Sequence, residues 1–344
     1  MGSMLLQDIS EFELIERLTK VVSKNSNSSR LNLKKAGGDP IISIGDDAAA
    51  WRTSAGTSVL TTDTMVEGVH FKLDYTSWRE LGWKSFASNL SDIAAMGCQA
   101  TYAVVTLGVR GDIEVNSLLD LYEGFNDVCR LYGGTIVGGD LVKSDSIFIT
   151  VALEGISPSG DQILRRDTAS AGDYIVVSGH LGCSAGGLRA LGQSVYSSLP
   201  LNLKKHLINA HSCPSPRMQL GETLLANGVI TAMDVSDGLL ADLNKICQSS
   251  GVGAKIMASD VPVHDQLKSA FPDDWLDLAV AGGEYYELLF TADRSQIEIV
   301  RSASDVRITV IGTITQDVGE LLLIDEEDKV ISLNVQGWDH FLLP

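Results

Sequence analysis

Hydrophobic and polar positions follow two spacings that alternate through the first half of the chain. Apolar residues recur every three or four positions in residues 10–22, 77–96 and 114–132, which predicts three amphipathic helices. Between them lie β-prone runs that predict strands, at residues 59–63, 102–109, 136–137 and 147–153. Helices that alternate with strands indicate a mixed α/β domain.

Some of the predicted helices carry recognisable end signals. Ser10 and Ser77 precede two of the apolar patterns, and a serine at this place can cap a helix N-terminus. Gly97 and the pair Gly133-Gly134 follow the last apolar positions and can end the helices. Residues 23–40 are rich in Ser, Asn, Lys and Gly, which predicts a mobile loop.

A second α/β series begins after a polar stretch at residues 157–172. Strands are predicted at 173–178, 230–235, 287–290 and 306–311, and a charged hairpin at 320–333. Helices are predicted after the glycine-rich turn 179–187, after Pro216 and over 237–248. A length of 344 residues also suits two domains of about 150 residues, so we predict domains 1–160 and 161–344.

Charge and cysteine content narrow the class of protein. The net charge of −18 argues against a nucleic-acid partner, although acidity can also simply support solubility. No apolar run reaches the roughly 18 residues of a membrane helix, and the start lacks the pattern of a secretory signal. The five cysteines are scattered and never form a CxxC pair, which is typical of a reducing compartment. We therefore expect a cytoplasmic protein.

Acidic residues recur in glycine turns and at the predicted ends of strands. Carboxylates, hydroxyls and water are the ligands that Mg²⁺ prefers, and several carboxylates in one cleft repel one another without a cation. Each Asp-Gly pair alone is more often only a turn, but five such segments together indicate a metal–phosphate site. The segments are Gly45-Asp46-Asp47, Thr62-Asp63-Thr64, Asn89-Leu90-Ser91-Asp92, Gly138-Gly139-Asp140 and Asp234-Val235-Ser236-Asp237-Gly238.

Other candidate residues have a structural alternative beside the functional one. Asn89 and Asp92, spaced i to i+3, share one helix face and can both reach a cleft. His70 follows the Asp63 strand, where it either supports the local turn or contacts a substrate. Arg166 is either solvated or clamps a phosphate. His180, His206, His211 and His264 show no metal-ligand spacing and are expected to be surface or core residues. The chain contains no GxxxxGK[ST] segment and no protein-kinase motif set, so ATP binding would need another fold.

The chain resembles the thiamine-monophosphate kinase family, of the superfamily named after aminoimidazole ribonucleotide synthetase. The segments that carry the resemblance are GDDAA (45–49), TTDTMVEGVHF (61–71), NLSDIAAMG (89–97), GGD (138–140), DVSDGL (234–239), GGEYYELLF (282–290) and WDHF (338–341). The resemblance implies an α/β domain whose sheet pairs with that of a second copy into a barrel across a homodimer, followed by a second α/β domain that completes the active-site cleft. It also implies the reaction of ATP with thiamine monophosphate to give ADP and thiamine diphosphate.

The resemblance further implies roles for individual residues. Ligands of several magnesium ions are implied at Asp47, Thr61, Thr62, Asp63, Asp92, Asp140, Asp234 and Asp237. Catalytic roles among these fall to Asp63, Asp92, Asp140 and Asp237. Contacts to ATP are implied for Gly139, Asp140, Arg166 and Ser236, and contacts to the thiamine substrate for His70, Glu284 and Trp338. The chemistry agrees, because a phosphate monoester acceptor is already a nucleophile at neutral pH and needs no general base.

Two positions depart from the family pattern. Thr61 stands where the family often has serine, which keeps the hydroxyl. Tyr285 stands where the family usually has aspartate, and this removes a carboxylate beside Glu284. We expect this change to affect the substrate side of the site.

The alternative interpretations are other enzymes of the same superfamily and a protein without catalytic activity. Selenophosphate synthetase would need a cysteine or selenocysteine in residues 23–40, and the hydrogenase-maturation relative would need a cysteine-bearing tail, and this sequence has neither. Aminoimidazole ribonucleotide synthetase itself is less sharply excluded. A non-catalytic sensor of nucleotide or thiamine phosphate is the remaining alternative, and Tyr285 is the feature that favours it.

Overall fold

The chain forms two compact units in the computed structural model, which describes residues 4–23, 56–192 and 199–332. The first unit comprises Met1–Ile93 and Cys98–Asp161, and the second comprises Ala94–Gly97 and Gln162–Pro344. The predicted loop 23–40 and the turn that contains Asp47 fall almost wholly outside the described residues. Within those residues no helix is both long and apolar enough to cross a bilayer.

The first unit is a four-stranded sheet with helices. Its described helices are α1 (Glu11–Ser23), α2 (Trp78–Ala95, whose last residues belong to the second unit) and α3 (Val115–Tyr132), and its strands are β1 (Ser58–Val66), β2 (Gln99–Val109), β3 (Thr135–Lys143) and β4 (Phe148–Ile156). The strand order is β1-β4-β2-β3, with only the β2–β3 pair parallel. As formed by the described strands, the sheet is open, and β1 and β3 are its two edges.

Among the residues that the structure describes, one face of this sheet is covered by helix packing and the other, called here the uncovered face, is not. Val151 and Val105 are paired neighbours in the sheet and both are buried. On this face Ile93 of α2 packs so closely on Gly155 that a Cβ there would lie 2.8 Å from an Ile93 methyl carbon. The opposite face carries Leu60 and Val104, which are 78% and 41% exposed. Because side chains alternate along a strand, odd-numbered residues of β1, of β4 and of β2 from residue 103 onward lie on the covered face, and even-numbered residues lie on the other.

Both predicted serine caps are confirmed. The backbone N–H of Glu13 donates to Ser10 Oγ at 3.2 Å. The N–H of Glu80 donates to Ser77 Oγ at 3.3 Å, and the N–H of Ser77 donates to Glu80 Oε2 at 3.0 Å, which forms a capping box. Gly97 follows α2 with φ of 70°, as expected of a glycine stop.

The prediction that the acids of the first unit sit in turns beyond strands is wrong for two of them. β1 continues past Asp63 to Val66, because the alternating pattern persists through buried Met65. Gly138, Gly139 and Asp140 lie inside β3. Gly139 is needed there because a Cβ would lie 2.0 Å from the carbonyl oxygen of Val105 on β2. Gly139 therefore allows the two strands to approach, and neither glycine forms a turn.

The second unit has a six-stranded sheet in the order β10-β7-β9-β5-β8-β6, in which only the β10–β7 pair is parallel. Its described strands are β5 (Tyr174–Ser178), β6 (Thr231–Val235), β7 (Gly253–Met257), β8 (Glu287–Ala292), β9 (Ile308–Thr315) and β10 (Leu321–Ile324). Its described helices are α4 (Cys183–Gly192), α5 (Leu201–Ser212), α6 (Met218–Ala226), α7 (Leu239–Ser250), α8 (Asp265–Ala270), α9 (Trp275–Ala281) and α10 (Arg294–Ala303).

The charged hairpin predicted over residues 320–333 is only partly correct. Its first strand, β10, pairs in parallel with β7 and so becomes the edge of the large sheet. Within the described residues its return forms no named strand but pairs with β10 through a bridge between Ile324 and Val330 and a backbone hydrogen bond from Ile331 to Leu323 at 2.8 Å. Leu323 and Ile324 are buried, so packing on the sheet decides the partner of this segment.

Tyr285 is part of the hydrophobic core of the second unit. Its side chain is only 8% exposed and packs with Leu278 and Leu289 in one buried cluster. Its hydroxyl donates a hydrogen bond to the carbonyl oxygen of Leu278, and burial raises the pKa of Tyr285 well above its ordinary value. The Tyr285 ring therefore points into the core, and an effect of this substitution on the substrate side of the site stays a prediction.

Three histidines that share no sequence motif lie together at the surface of the second unit. The ring of His264 lies 5.3 Å from that of His180 and 4.8 Å from that of His206, between centroids. Arg307 approaches His180 Nε2 at 3.3 Å. Burial lowers the pKa of His180, with further contributions from Arg307 and His264, and burial with His264 lowers the pKa of His206.

The burial of Tyr285 predicts a graded loss of stability. Tyr285→Phe should cost about 1 kcal/mol of unfolding free energy, because it removes one buried hydrogen bond. Tyr285→Asp should cost about 3 kcal/mol or more, because it also places a carboxyl group in an apolar core. Urea unfolding of the variants measures both. Tyr174→Phe is the matched control, since the Tyr174 hydroxyl makes no hydrogen bond among the described residues. A Tyr285→Asp protein as stable as the wild type would contradict this placement.

The histidine cluster predicts a pH-dependent stability. Folded-state pKa values below the ordinary 6.5 mean that the unfolded chain binds more protons. The contribution of His180 and His206 should therefore be complete above about pH 6.5 and decline as the pH falls below it. His264→Asn keeps an acceptor for the Gln266 N–H at the start of α8 but removes the shared neighbour. Urea unfolding at pH 5.5 and 7.5 should show a smaller difference for this variant, and an unchanged difference would refute the coupling.

Candidate active site

Strand β1 and helix α2 bring together four of the predicted site positions. Thr61 Oγ1 donates to Asp92 Oδ2 at 2.5 Å, and the backbone N–H of Asp63 donates to Asn89 Oδ1 at 3.1 Å. The side chains of Thr61 and Asp63 share one strand face with buried Met65, while Asn89 and Asp92 share one face of α2. The i to i+3 spacing therefore correctly placed Asn89 and Asp92 on one helix face, and their access to a cleft stays a prediction.

Asn89 fixes how the helix meets the strand. It is completely buried, and its Nδ2 donates to the carbonyl oxygen of Ser85 at 3.0 Å, so its Oδ1 is directed toward the Asp63 backbone. An amide that is held at both ends can serve as a rigid support for the neighbouring carboxylates.

Two other predicted ligands of the first unit lie on the opposite face of its sheet. Thr62 is opposite Ala152 in β4, and Asp140 is opposite Thr106 in β2, which is in turn opposite Thr150. These positions belong to the uncovered face, and Asp140 is exposed. Within this unit the sheet therefore separates Asp140 from Asp63.

His70 has a structural contact in this unit. Its Nδ1 accepts the backbone N–H of Val66 at 3.1 Å, which closes the turn that follows β1. Glu67, three residues before His70, forms an ion pair with Arg110 at 2.5 Å. The structural alternative for His70 is thus realised, and its contact with substrate stays a prediction.

In the second unit a single carboxylate organises the turn between β6 and α7. Asp242 is fully buried, and its Oδ2 accepts the backbone N–H groups of Ser236 at 3.0 Å, Asp237 at 3.0 Å and Gly238 at 3.1 Å. Asp234, at 6% exposure, lies in β6 just before this turn. Sequence reasoning missed Asp242, although an acid five residues after Asp237 on the following helix was a usable signal.

Lys245 links this organising carboxylate to a predicted metal ligand. Its Nζ lies 2.5 Å from Asp237 Oδ2 and 2.7 Å from Asp242 Oδ1. Partial burial would lower the pKa of Lys245, but hydrogen bonds to the two carboxylates outweigh that effect and raise it. The ammonium group is therefore charged at neutral pH.

The first residues of the GGEYYELLF segment, 282–286, are joined to the same turn by backbone hydrogen bonds. The N–H of Glu284 donates to Ser236 O at 2.7 Å, and the N–H groups of Tyr285 and Tyr286 donate to Val235 O at 3.2 and 3.0 Å. Glu284 and Tyr286 have φ of 59° and 53°, a left-handed conformation that non-glycine residues rarely adopt. Such strain is typical of functional turns.

Glu284 lies in a small polar cluster. Its Oε2 is 3.4 Å from His211 Nδ1, and Ser184 Oγ is 3.2 Å from the same nitrogen. His211 is 5% exposed, whereas the Glu284 side chain is 28% exposed. Sequence reasoning missed His211 and Ser184, because no motif connects them to residue 284.

Among the described residues, Arg166 shows no contact with these groups. Arg166 is exposed, and its carbonyl oxygen accepts Ser250 Oγ at 3.1 Å, while its neighbour Arg165 pairs with Asp167 at 2.6 Å. Asp47 and Trp338 lie outside the described residues.

The donor set suits a hard cation, but it is not a finished metal site. Within residues 4–23, 56–192 and 199–332, no three His, Cys, Asp or Glu side chains converge so that they could hold an ion. The pair of Thr61 and Asp92 offers hydroxyl and carboxylate oxygens, which match Mg²⁺ better than a transition metal.

Comparison with known proteins covers both units. Residues 45–157 match the family described as AIR synthase related protein, N-terminal domain, and residues 170–323 match its C-terminal domain. Thiamine-monophosphate kinase of Bacillus subtilis (strain 168) is 32% identical over 97% of this chain and 100% of its own. That of Escherichia coli (strain K12) is 34% identical over 97% and 99%.

Solved structures give the same result. Thiamine-monophosphate kinase from Stenotrophomonas maltophilia K279a superposes with a TM-score of 0.79 and 32% identity, covering 94% of this chain and 98% of that one. AaThiL complexed with AMPPCP and TMP superposes with a TM-score of 0.74 and 29% identity, covering 99% and 100%. The chain belongs to the thiamine-monophosphate kinase family, within the AIR synthase related proteins.

Proposed function

We propose that this protein transfers a phosphoryl group from ATP to thiamine monophosphate, which yields ADP and thiamine diphosphate. The observation that carries the proposal is similarity to thiamine-monophosphate kinases over almost the whole of both chains. The solved AaThiL complex with AMPPCP and TMP supports the same pair of substrates.

The reaction suits a site made of acids, because it needs no dedicated base. The accepting phosphate has a second pKa of about 6, so it is largely dianionic at neutral pH and can attack directly. What the protein must provide is alignment of two polyanions and relief of their repulsion. Bound Mg²⁺ would supply that charge neutralisation, with several ions held at once.

We assign candidate metal ligands in each unit separately. From the first unit we assign Thr61, Asp63 and Asp92 on the helix-covered face, Thr62 and Asp140 on the uncovered face, and Asp47 from outside the described residues. From the second unit we assign Asp234 and Asp237. In this arrangement Asn89 and Asp242 hold the local backbone in place and do not bind metal.

Contacts to the two substrates are assigned to separate residues. Gly139, Asp140, Arg166 and Ser236 would bind ATP. His70, Glu284 and Trp338 would face the thiamine group. Glu284 is suited to a cationic thiazolium because its carboxylate is partly exposed and the strained turn fixes its direction.

We propose a homodimer in which the sheet of the first unit pairs with that of a second copy to close a barrel. The uncovered face exposes Leu60, Val104 and Val142, and a second copy would remove this apolar surface from water. A cytoplasmic location is supported by the free thiols of all five cysteines.

The direct test is product formation with purified protein, ATP, Mg²⁺ and thiamine monophosphate. We expect thiamine diphosphate by chromatography and almost no product from free thiamine, because an alcohol would need a general base, whereas the phosphate acceptor is already a nucleophile. Asp92→Asn should lower kcat by about 100-fold, since it removes a negative charge from the proposed metal ligands. Asp112→Asn, in an exposed loop, is the control and should match the wild type.

Three results would count against this proposal. Efficient phosphorylation of free thiamine would contradict the direct attack by a phosphate. A complete lack of turnover would favour the sensor alternative, and activity with an aminoimidazole-type substrate would favour the synthetase alternative.

A further inference from the structure

Lys245 contacts the carboxylate of Asp237, which the proposed function assigns to metal binding. It projects from α7, and its Nζ contacts Asp237 Oδ2 at 2.5 Å while it also contacts Asp242 Oδ1 at 2.7 Å. The Lys245 and Asp237 side chains are 37% and 34% exposed, whereas that of Asp242 is 0% exposed. The ion pair with Asp237 is thus open to solvent on one side, and the pair with Asp242 is not.

The two carboxylates have different numbers of other partners. Asp242 Oδ2 accepts three backbone N–H groups, so this residue stays ordered whether or not Lys245 is present. The Asp237 carboxylate is held, among the described residues, by Lys245. If the ammonium group moves, Asp237 is therefore released while Asp242 keeps the turn in shape.

We propose that Lys245 is a resident cation that holds the Asp237 carboxylate until a divalent ion displaces it. This inference rests on the proposed function, in which Asp237 binds metal. On displacement, Nζ keeps its contact with Asp242 and gives up the one with Asp237, a small movement for a flexible four-carbon side chain. Lys245 is then a positioning residue that sets the metal concentration at which the site fills.

The charge balance gives the direction of the effect. Asp237, Asp242 and Lys245 together carry a net charge of −1 in the metal-free protein, and neutralising the lysine makes it −2. A divalent ion binds more tightly to the more negative site, and it no longer has to break an ion pair. A lysine with only a structural role would have the opposite effect, because its loss would loosen Asp237 and weaken metal binding.

Mn²⁺ binding to the full chain tests the proposal by a signal that does not depend on turnover. Free Mn²⁺ would be counted by electron paramagnetic resonance during titration, with and without AMPPCP. Lys245→Met and Lys245→Gln should bind Mn²⁺ about three- to tenfold more tightly than the wild type, as expected for one partly exposed ion pair. Lys245→Arg should restore wild-type affinity.

Two controls make the result specific. Lys255→Met removes an exposed lysine that pairs with Asp328 at 2.9 Å and should leave Mn²⁺ affinity unchanged. Adding Asp237→Asn to Lys245→Met should abolish the gain in affinity. Unchanged or weaker Mn²⁺ binding by both Lys245→Met and Lys245→Gln would overturn the proposal.

The outcomes separate this inference from the function on which it rests. Wild-type kinase activity together with unaltered Mn²⁺ binding in the two variants would refute only the role of Lys245. Tighter Mn²⁺ binding in the variants of a wild type that makes no thiamine diphosphate would support the resident cation and refute only the proposed reaction.

Discussion

The buried carboxylate of Asp242 accepts three consecutive backbone N–H groups, and the shape of the turn at residues 236–238 depends on it. Those donors would otherwise be left without partners at the start of α7, at a cost of about 1–3 kcal/mol each. The same turn offers the carbonyl oxygens of Val235 and Ser236 to the backbone of residues 284–286. One side chain thus sets the geometry of two motifs almost 50 residues apart in sequence.

The chemistry of the second unit follows from this constraint. The turn presents Asp237 to Lys245, and the attached segment presents Glu284 to His211 with a left-handed backbone at Glu284. That strained conformation persists because backbone hydrogen bonds and the buried ring of Tyr285 fix the residues on either side of it. In the first unit, buried Asn89 likewise holds the backbone in place: it accepts the N–H of Asp63, close to the pair of Thr61 and Asp92.

Local signals in the sequence were enough to predict the helices and strands and the residue pairs that share one helix face. Ser77, Gly97 and the pair Asn89 and Asp92 were predicted correctly because caps, stops and i to i+3 spacing act over a few residues. The placement of Asp140, Tyr285 and His211 was not predictable in this way. Each depends on long-range packing: a close strand approach at Gly139, a core that receives the Tyr285 ring, and a helix that carries His211 to Glu284.

Native-state hydrogen exchange on Asp242→Asn tests most directly whether this carboxylate organises the turn. The variant keeps the size of the side chain but loses the charge that strengthens its three hydrogen bonds. The amides of Ser236, Asp237 and Gly238 should exchange about tenfold faster, together with that of Glu284, while amides in β5 and β9 keep their wild-type rates. Wild-type exchange at residues 236–238 in this variant would contradict the account.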